Sequence, residues 1–252
     1  MEIVLIGTGN TAHVLGKKFV QAGHRIVQVF GRNSHAASQL AYELGTESTN
    51  YWNVITRSAD LYIVAVSDIA VEEVVNELQI SDKIVVHTAA SVSLQVLAGK
   101  AKHYGVLYPL QSLKKEVSYL PDVPILIDAS DQQTLDLLDV LAHTVSSQVY
   151  RAGDEERLKL HLAAVMVNNF TNHLYALVEN YCREEGLDFY LLLPLIAETA
   201  SRLQDLPAAK TQTGPAVRND SVTIEKHLEL LKKYPQLKRL YTLFTESIQQ
   251  SR

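Results

Sequence analysis

The chain has a single cysteine, Cys182, in 252 residues, so no intrachain disulfide can form and too little sulfur is present for a cysteine-rich metal site. A reducing compartment, the cytoplasm, is the expected location. There is no basic run: 23 Lys and Arg against 28 Asp and Glu leave a formal charge of −5 and a pI near 6.0, which disfavours tracking of a nucleic-acid backbone. There is no long apolar stretch either. The most apolar later segment, Leu191 to Ala197, falls far short of the ~20 residues needed to cross a bilayer, so no membrane span is expected. Met1 leads directly into Glu2-Ile3-Val4-Leu5-Ile6 without a basic segment ahead of a separate apolar one, and no signal peptide is expected. Nine histidines occur without His-Glu-x-x-His or another metal-ligand spacing, so no metal site is expected.

What is present is an ordinary globular composition, 47% hydrophobic and 20% charged, in a chain long enough for about one to two domains. Up to about residue 152, short apolar runs rich in Val and Ile alternate with amphipathic stretches: Ile3–Ile6, Ile26–Phe30, Leu61–Val66, Ile84–Val86, Gly105–Tyr108, Ile125–Ile127 and Gln148–Tyr150. Runs apolar at successive positions suit strands buried on both faces, hence a parallel sheet covered by helices at 11–22, 35–44, 69–79 and 131–143. From Asp154 the pattern becomes helical throughout, over 155–185, 189–206, 222–233 and 235–249. Asp154, Glu155 and Glu156 load the first turn, and Gly186 is placed to stop that helix. The expected fold is therefore α/β: a Rossmann-type doubly wound, mostly parallel sheet at 1–152, followed by an all-α domain at 153–252. The one clear break in the second half is Pro207–Asp220.

Gly7-Thr8-Gly9-Asn10-Thr11-Ala12 is a G-x-G-x-x-A sequence directly after a strand and directly before a helix, the context a dinucleotide fingerprint requires. Gly7 permits the tight turn, Gly9 lets a pyrophosphate approach the backbone, and Ala12 is small enough for helix-on-strand packing. The phosphates would meet the free N–H groups of Asn10 and Thr11 at the helix start. An NAD site normally carries an acid roughly 20 residues further on, to hold the ribose hydroxyls. Here no Asp or Glu occurs between Glu2 and Glu43, and the second strand ends Phe30-Gly31-Arg32-Asn33-Ser34. Arg32 can grip a 2′-phosphate with Asn33 and Ser34 adding neutral hydrogen bonds, so NADP is the expected cofactor; the plain alternative is a solvated loop arginine.

Further strand ends, Ala65-Val66-Ser67-Asp68 and His87-Thr88-Ala89-Ala90-Ser91, fall where an open α/β sheet places its ligand crevice. Val66, Ser67 and His87 are expected to face the ribose–nicotinamide half, although Ser67 and Asp68 equally suit helix caps. On the long helix, His161, Asn168 and Asn172 fall at i, i+7 and i+11 within a narrow sector at 100° per residue, amid Ala, Val, Met and Leu. His161 can exchange a proton near neutral pH and Asn168 can orient a carbonyl or imine; the bland reading is a satisfied interior histidine with helix–helix hydrogen bonds. Gln111 and Ser112, in the loop after Tyr108-Pro109, can reach the same cleft between the two domains. Arg218 and Asp220 suit either an anionic substrate group or a subunit contact.

The turn Gly7 to Ala12 resembles that of pyrroline-5-carboxylate reductase and of the deazaflavin-dependent NADP reductases. Nearly the whole chain resembles a group of oxidoreductases with a Rossmann-like domain and a C-terminal helical domain of unassigned function. The points of likeness are His87-Thr88, Tyr108-Pro109-Leu110-Gln111-Ser112, His161-Leu162-Ala163-Ala164, and Thr213-Gly214-Pro215 followed by Arg218, Asp220, Thr223 and His227. The chain departs from the group at Tyr108, where His is usual, at Ala90, where Gly is usual, and at Asn219, where Gly is common. The related β-hydroxyacid dehydrogenases place a catalytic lysine shortly before paired asparagines; counting back from Asn168-Asn169 gives Val165, so that acid/base residue is missing.

These readings converge on an NADP-dependent oxidoreductase that transfers a hydride between nicotinamide and a small carbonyl or imine. His161 is the expected proton donor, with Asn168 and Gln111 positioning the small-molecule substrate. A homodimer through the Leu-rich helical domain is expected. The rival is a protein that binds NADP(H) as a sensor or structural element without turnover, which the missing lysine favours.

Overall fold

The structure, a computed structural model, describes residues 1–78, 80–117 and 119–251. Strands and helices alternate through the first half: β1 (Glu2–Ile6), α1 (Asn10–Gln21), β2 (Arg25–Phe30), α2 (Ser34–Leu44), β3 (Glu47–Thr49), β4 (Leu61–Val64), α3 (Val71–Glu77), β5 (Ile84–His87), β6 (His103–Pro109), β7 (Ile125–Ala129), α4 (Gln132–His143) and β8 (Val149–Arg151). All the strands the hydrophobic runs predict are present. The addition is β3, whose Glu47-Ser48-Thr49 has no apolar residue to signal it; backbone pairing with β2 at the sheet edge makes it a strand.

The eight strands lie in the order β3-β2-β1-β4-β5-β6-β7-β8. Every pairing is parallel except β6 with β7. The first six follow the doubly wound order, in which chain direction across the sheet reverses between β1 and β4 and opens a crevice at their C-terminal ends. Both faces are covered. Leu5, Ile63 and Val29 pack under Leu15, Leu40 and Leu138 on one side, while Val4, Ile6 and Val64 meet Val71 and Val75 on the other. The successive apolar positions are thus accounted for: neighbouring residues such as Leu5 and Ile6, or Ile63 and Val64, serve opposite layers.

From Asp154 the chain is helical: α5 (Asp154–Ala164), a π-helical turn at Val165–Phe170, α6 (Thr171–Glu184), α7 (Leu193–Ser201), α8 (Ala208–Thr211), α9 (Ser221–Leu230) and α10 (Pro235–Gln250). No strand occurs after Arg151 among the described residues. Gly186 ends α6 at φ 70°, with the Leu187 N–H donating to the Cys182 carbonyl, as a left-handed C-terminal cap does. No helix among the described residues is long and apolar enough to cross a membrane.

Two compact units emerge, Met1–Asn169 and Phe170–Arg252. The sequence boundary near 152 falls just past β8, yet α5 groups with the sheet because Arg157 is buried there. Its Nε donates to the Ala90 carbonyl, and its Nη2 donates to the Val92 carbonyl and, at 2.7 Å, to the Asp154 carboxylate. In the second unit only Cys182 and Ala216 are buried among the described residues.

Candidate active site

The glycine turn has two glycines for two different reasons. Gly7 lies at φ 123°, and a Cβ on it would sit 2.1 Å from the Ala65 carbonyl oxygen, because the end of β1 turns against the end of β4. Gly9 precedes α1 at φ −80°, a conformation open to any residue, and a Cβ there would meet nothing within 4 Å. The space it leaves stands in front of the α1 N-terminus, whose first N–H groups lack intrahelical partners. Such a cradle fits the pyrophosphate of a dinucleotide. Ala12 is fully buried in the helix–sheet layer, so it shapes the turn by packing rather than by touching a ligand.

A cavity of about 700 Å³ opens over this turn in the first unit. Of the residues expected to hold the cofactor, Gly7, Gly9, Asn10, Thr11, Arg32, Asn33, Val66 and Ser67 line it, joined by Gln111 and His161 from the expected catalytic set. Tyr108 lines it as well. Three expected contacts do not. Ser34, at the first position of α2, lines a separate hollow with His35 and Ser38. Asn168 lines a neighbouring cavity described below. His87 is fully buried at the end of β5, its Nδ1 accepting from the Ala89 N–H at 3.2 Å, and the neighbouring Thr88 and Ala90 supply that wall instead. Burial, and then the nearby Arg157 guanidinium, lower the His87 pKa from 6.5 to about 4, so the ring is neutral at physiological pH.

At the outer rim Arg32 is exposed, with Nη1 3.8 Å from Oε2 of Glu73 on α3. Asn33 caps α2, its Oδ1 accepting from the Ala36 N–H at 3.0 Å, which leaves only its amide nitrogen free to donate. Asn10 ties in a distant loop: its Oδ1 accepts from the Lys115 N–H at 3.3 Å. Asp68 is neither a helix cap nor a free carboxylate. It accepts from the Ser91 N–H at 3.0 Å and from the Ser91 hydroxyl, joining the loops that follow β4 and β5.

At the inner end the Tyr108 hydroxyl and Nδ1 of His161 share a hydrogen bond of 2.9 Å, with the rings edge to face. Burial, and then the Asp68 charge, raise the Tyr108 pKa to about 12, so the phenol keeps its proton and can donate to a bare Nδ1 or accept from a protonated one. Tyr108, Gln111 and His161 also line a second cavity, of about 460 Å³, whose far wall is the π turn with Asn168 and Asn169. The regular 100° spacing that grouped His161, Asn168 and Asn172 fails beyond this turn, because i→i+5 bonding advances fewer degrees per residue. Asn168 still lines the cavity; Asn172 is exposed in the second unit.

Two residues escaped the sequence reading. Glu73 has no motif to betray it. Arg157 sits one helical turn after Asp154 at a helix start, a weak signal of an ion pair. In the second unit Asp220 caps α9, accepting from the Thr223 N–H and hydroxyl, and those bonds hold its carboxyl below the usual range. Asn219 lies at φ 53°, the left-handed region in which Asn is the best substitute for Gly.

The family described as NADP oxidoreductase, coenzyme F420-dependent, matches residues 2–91, and a domain of unknown function, DUF2520, matches residues 123–248. Among solved structures the chain is similar to a candidate NADP oxidoreductase from Bacteroides fragilis, BF3122, at 40% identity over 99% of this chain and 98% of that one, with a TM-score of 0.92. Protein TM1727 from Thermotoga maritima shares the fold at 20% identity over 98% of each chain, TM-score 0.81. So does a reductive aminase from Aspergillus terreus in complex with NADPH and ethyl-5-oxohexanoate, at 13% identity over 99% of this chain and 93% of that one, TM-score 0.73. No curated protein matches. Identity of 40% along nearly the whole of both chains, on a sheet whose glycine turn and crevice are intact, places this chain in the DUF2520 family with an NADP oxidoreductase domain of the coenzyme F420-dependent type at its N-terminus.

Proposed function

We propose that the protein is an NADP-dependent oxidoreductase acting on a small carbonyl or imine. The observation that carries this reading is one cavity that has the Gly7–Gly9 cradle and Arg32 on its walls and ends on the Tyr108–His161 pair. The α1 N-terminus and Gly9 hold the pyrophosphate, and Arg32, with the Asn33 amide nitrogen, holds the 2′-phosphate. When bound, NADP supplies or accepts the hydride. His161, in its protonated form, gives the Nε2 proton to the carbonyl oxygen or imine nitrogen as the hydride adds and is left as the neutral ring, while Tyr108, hydrogen-bonded to Nδ1, keeps the ring oriented with Nε2 free to donate. Gln111 and Asn168 orient the reacting group.

A homodimer completes the proposal. A helical unit in which, among the described residues, only Cys182 and Ala216 are buried, and in which Leu191, Leu195, Leu203, Leu243 and Phe244 are exposed, leaves apolar helix surface that a second copy covers. The single, buried Cys182 suits the cytoplasm. A second reading, a sensor of NADP(H) without turnover, draws on Val165, an aliphatic side chain on the cavity wall that holds the asparagines.

Titration with NADPH and NADH, followed by a screen of 2-oxo acids, cyclic imines and aldehydes for NADPH oxidation, tests the proposal. Tight, NADPH-selective binding with turnover supports the enzyme. Tight binding with silence across the panel supports the sensor, and equal affinity for both nucleotides removes the role given to Arg32. Sedimentation equilibrium decides the dimer.

A further inference from the structure

The cavity beside the Tyr108–His161 pair is lined by aliphatic and neutral polar side chains. Its aliphatic lining comes from Leu110, Leu160 and the α5–π-turn residues Ala163 to Val165, and its polar groups are the neutral side chains of Gln111, Ser112, Asn168 and Asn169 beside the pair itself. No Asp, Glu, Lys or Arg lines it among the described residues. Arg157, four residues before His161 on α5, is buried and already committed to two carbonyls and the Asp154 carboxylate. The one titratable base on the wall, His161, has its Nδ1 occupied by Tyr108.

We infer that this cavity is the substrate seat and that it selects uncharged carbonyl or imine compounds, with carboxylate-bearing ones disfavoured. A carboxylate placed there loses hydration against methyl groups and finds no fixed cation in return, whereas a neutral amide, ester or alkyl group meets aliphatic wall and side-chain amides that both donate and accept. The wide π turn contributes by bringing Asn168 and Asn169 into the wall together, which a regular α-helix, with neighbours 100° apart, does less readily. This inference rests on the oxidoreductase reading for the identity of the reacting group, but the selectivity follows from the cavity alone.

The test compares 2-oxopentanoate with 2-oxopentanamide, which share a skeleton and differ in charge. Each is titrated calorimetrically into the protein saturated with NADP⁺, where no hydride is available and only binding is read, and into the nucleotide-free protein in parallel. The amide is expected to bind about tenfold or more tightly than the acid at pH 7.5. Ala163→Lys, an exposed position on the cavity wall, is expected to shift that ratio toward the acid by about tenfold while leaving the circular dichroism spectrum unchanged. Equal affinities, tighter binding of the acid, binding of neither compound, or a ratio indifferent to Ala163→Lys would each overturn the inference. The NADP⁺ loading step reports separately on the function. Its failure would remove the oxidoreductase reading, and an amide preference in the nucleotide-free protein would still support the cavity's selectivity.

Discussion

Arg32 and Glu73 face each other across the rim of the nucleotide cavity, Nη1 to Oε2 at 3.8 Å, with both side chains more than two-thirds exposed. A carboxylate therefore does stand beside the ribose-phosphate subsite, although the chain between Glu2 and Glu43 contains none; α3 delivers it from another part of the sequence. The pair is long and solvated, worth about 0–1 kcal/mol, and a doubly charged phosphate competes well against it.

Arg32→Ala is accordingly expected to weaken NADPH binding by about 1.5–3 kcal/mol and to leave NADH nearly unchanged. Glu73→Gln should act in the opposite sense, tightening NADPH by up to about 1 kcal/mol, with the gain shrinking as salt rises. Fluorescence titration of both nucleotides at two ionic strengths reads all of this, and a loss of NADPH affinity in Glu73→Gln would show that the carboxylate aids binding.

The two glycines of the turn are expected to separate stability from binding. Gly9→Ala, at a permitted φ with empty space around the new methyl, should change unfolding free energy by no more than about 0.5 kcal/mol yet weaken the nucleotide at least tenfold. Gly7→Ala drives a methyl into the Ala65 carbonyl at φ 123° and should destabilise the fold by about 2 kcal/mol or more. Urea unfolding paired with NADPH titration distinguishes them; a stable Gly7→Ala protein would contradict the close approach of β1 to β4.

Tyr108→Phe removes the hydrogen bond that orients the His161 ring through Nδ1. With any substrate found by the screen, kcat should fall about tenfold or more while the NADPH Kd stays within about twofold, and the alkaline limb of the pH profile should move. An unchanged pH profile would reduce Tyr108 to packing.

His87 makes stability depend on pH. Its pKa is about 4 in the fold against 6.5 when unfolded, so above pH 6.5 the ring is neutral in both states and contributes nothing to the slope. As pH falls from 6.5 toward 4, the unfolded chain takes up a proton that the native protein refuses, and stability drops, by up to ~3 kcal/mol at 1.4 kcal/mol per unit. His87→Leu should flatten that part of the curve, measured as thermal midpoint against pH; an equally steep decline in the variant would place the titrating group elsewhere.

Much of this architecture is legible in the chain. Successive apolar residues at 3–6, 61–64 and 84–86 can only be strands buried on both faces, and local periodicity, which needs no partner, marks the helices. Gly7 to Ala12 declares its use because the turn, the phosphate approach and the helix start lie within six residues. Asn219 is a further case, since a left-handed φ restricts residue type wherever it occurs. The misplacements have two separate geometric causes. His87 was put on the cavity wall because its strand end points there, but consecutive strand residues face opposite ways, and Thr88 takes the wall while His87 goes inward. Asn172 was grouped with His161 on the assumption of unbroken α geometry, which the π turn at 165–170 breaks.

The sequence by itself determined seven of the eight strands, the helices that alternate with them and the glycine turn before α1, because those depend on local periodicity and on glycines acting within one turn. Only the tertiary structure decided that Glu73 opposes Arg32, that Tyr108 holds His161, and that the second cavity is walled without a fixed charge. Contacts between residues 41 and 53 positions apart leave no periodic trace in a chain; they exist only once the sheet and the helix packed on it fix the distance between them.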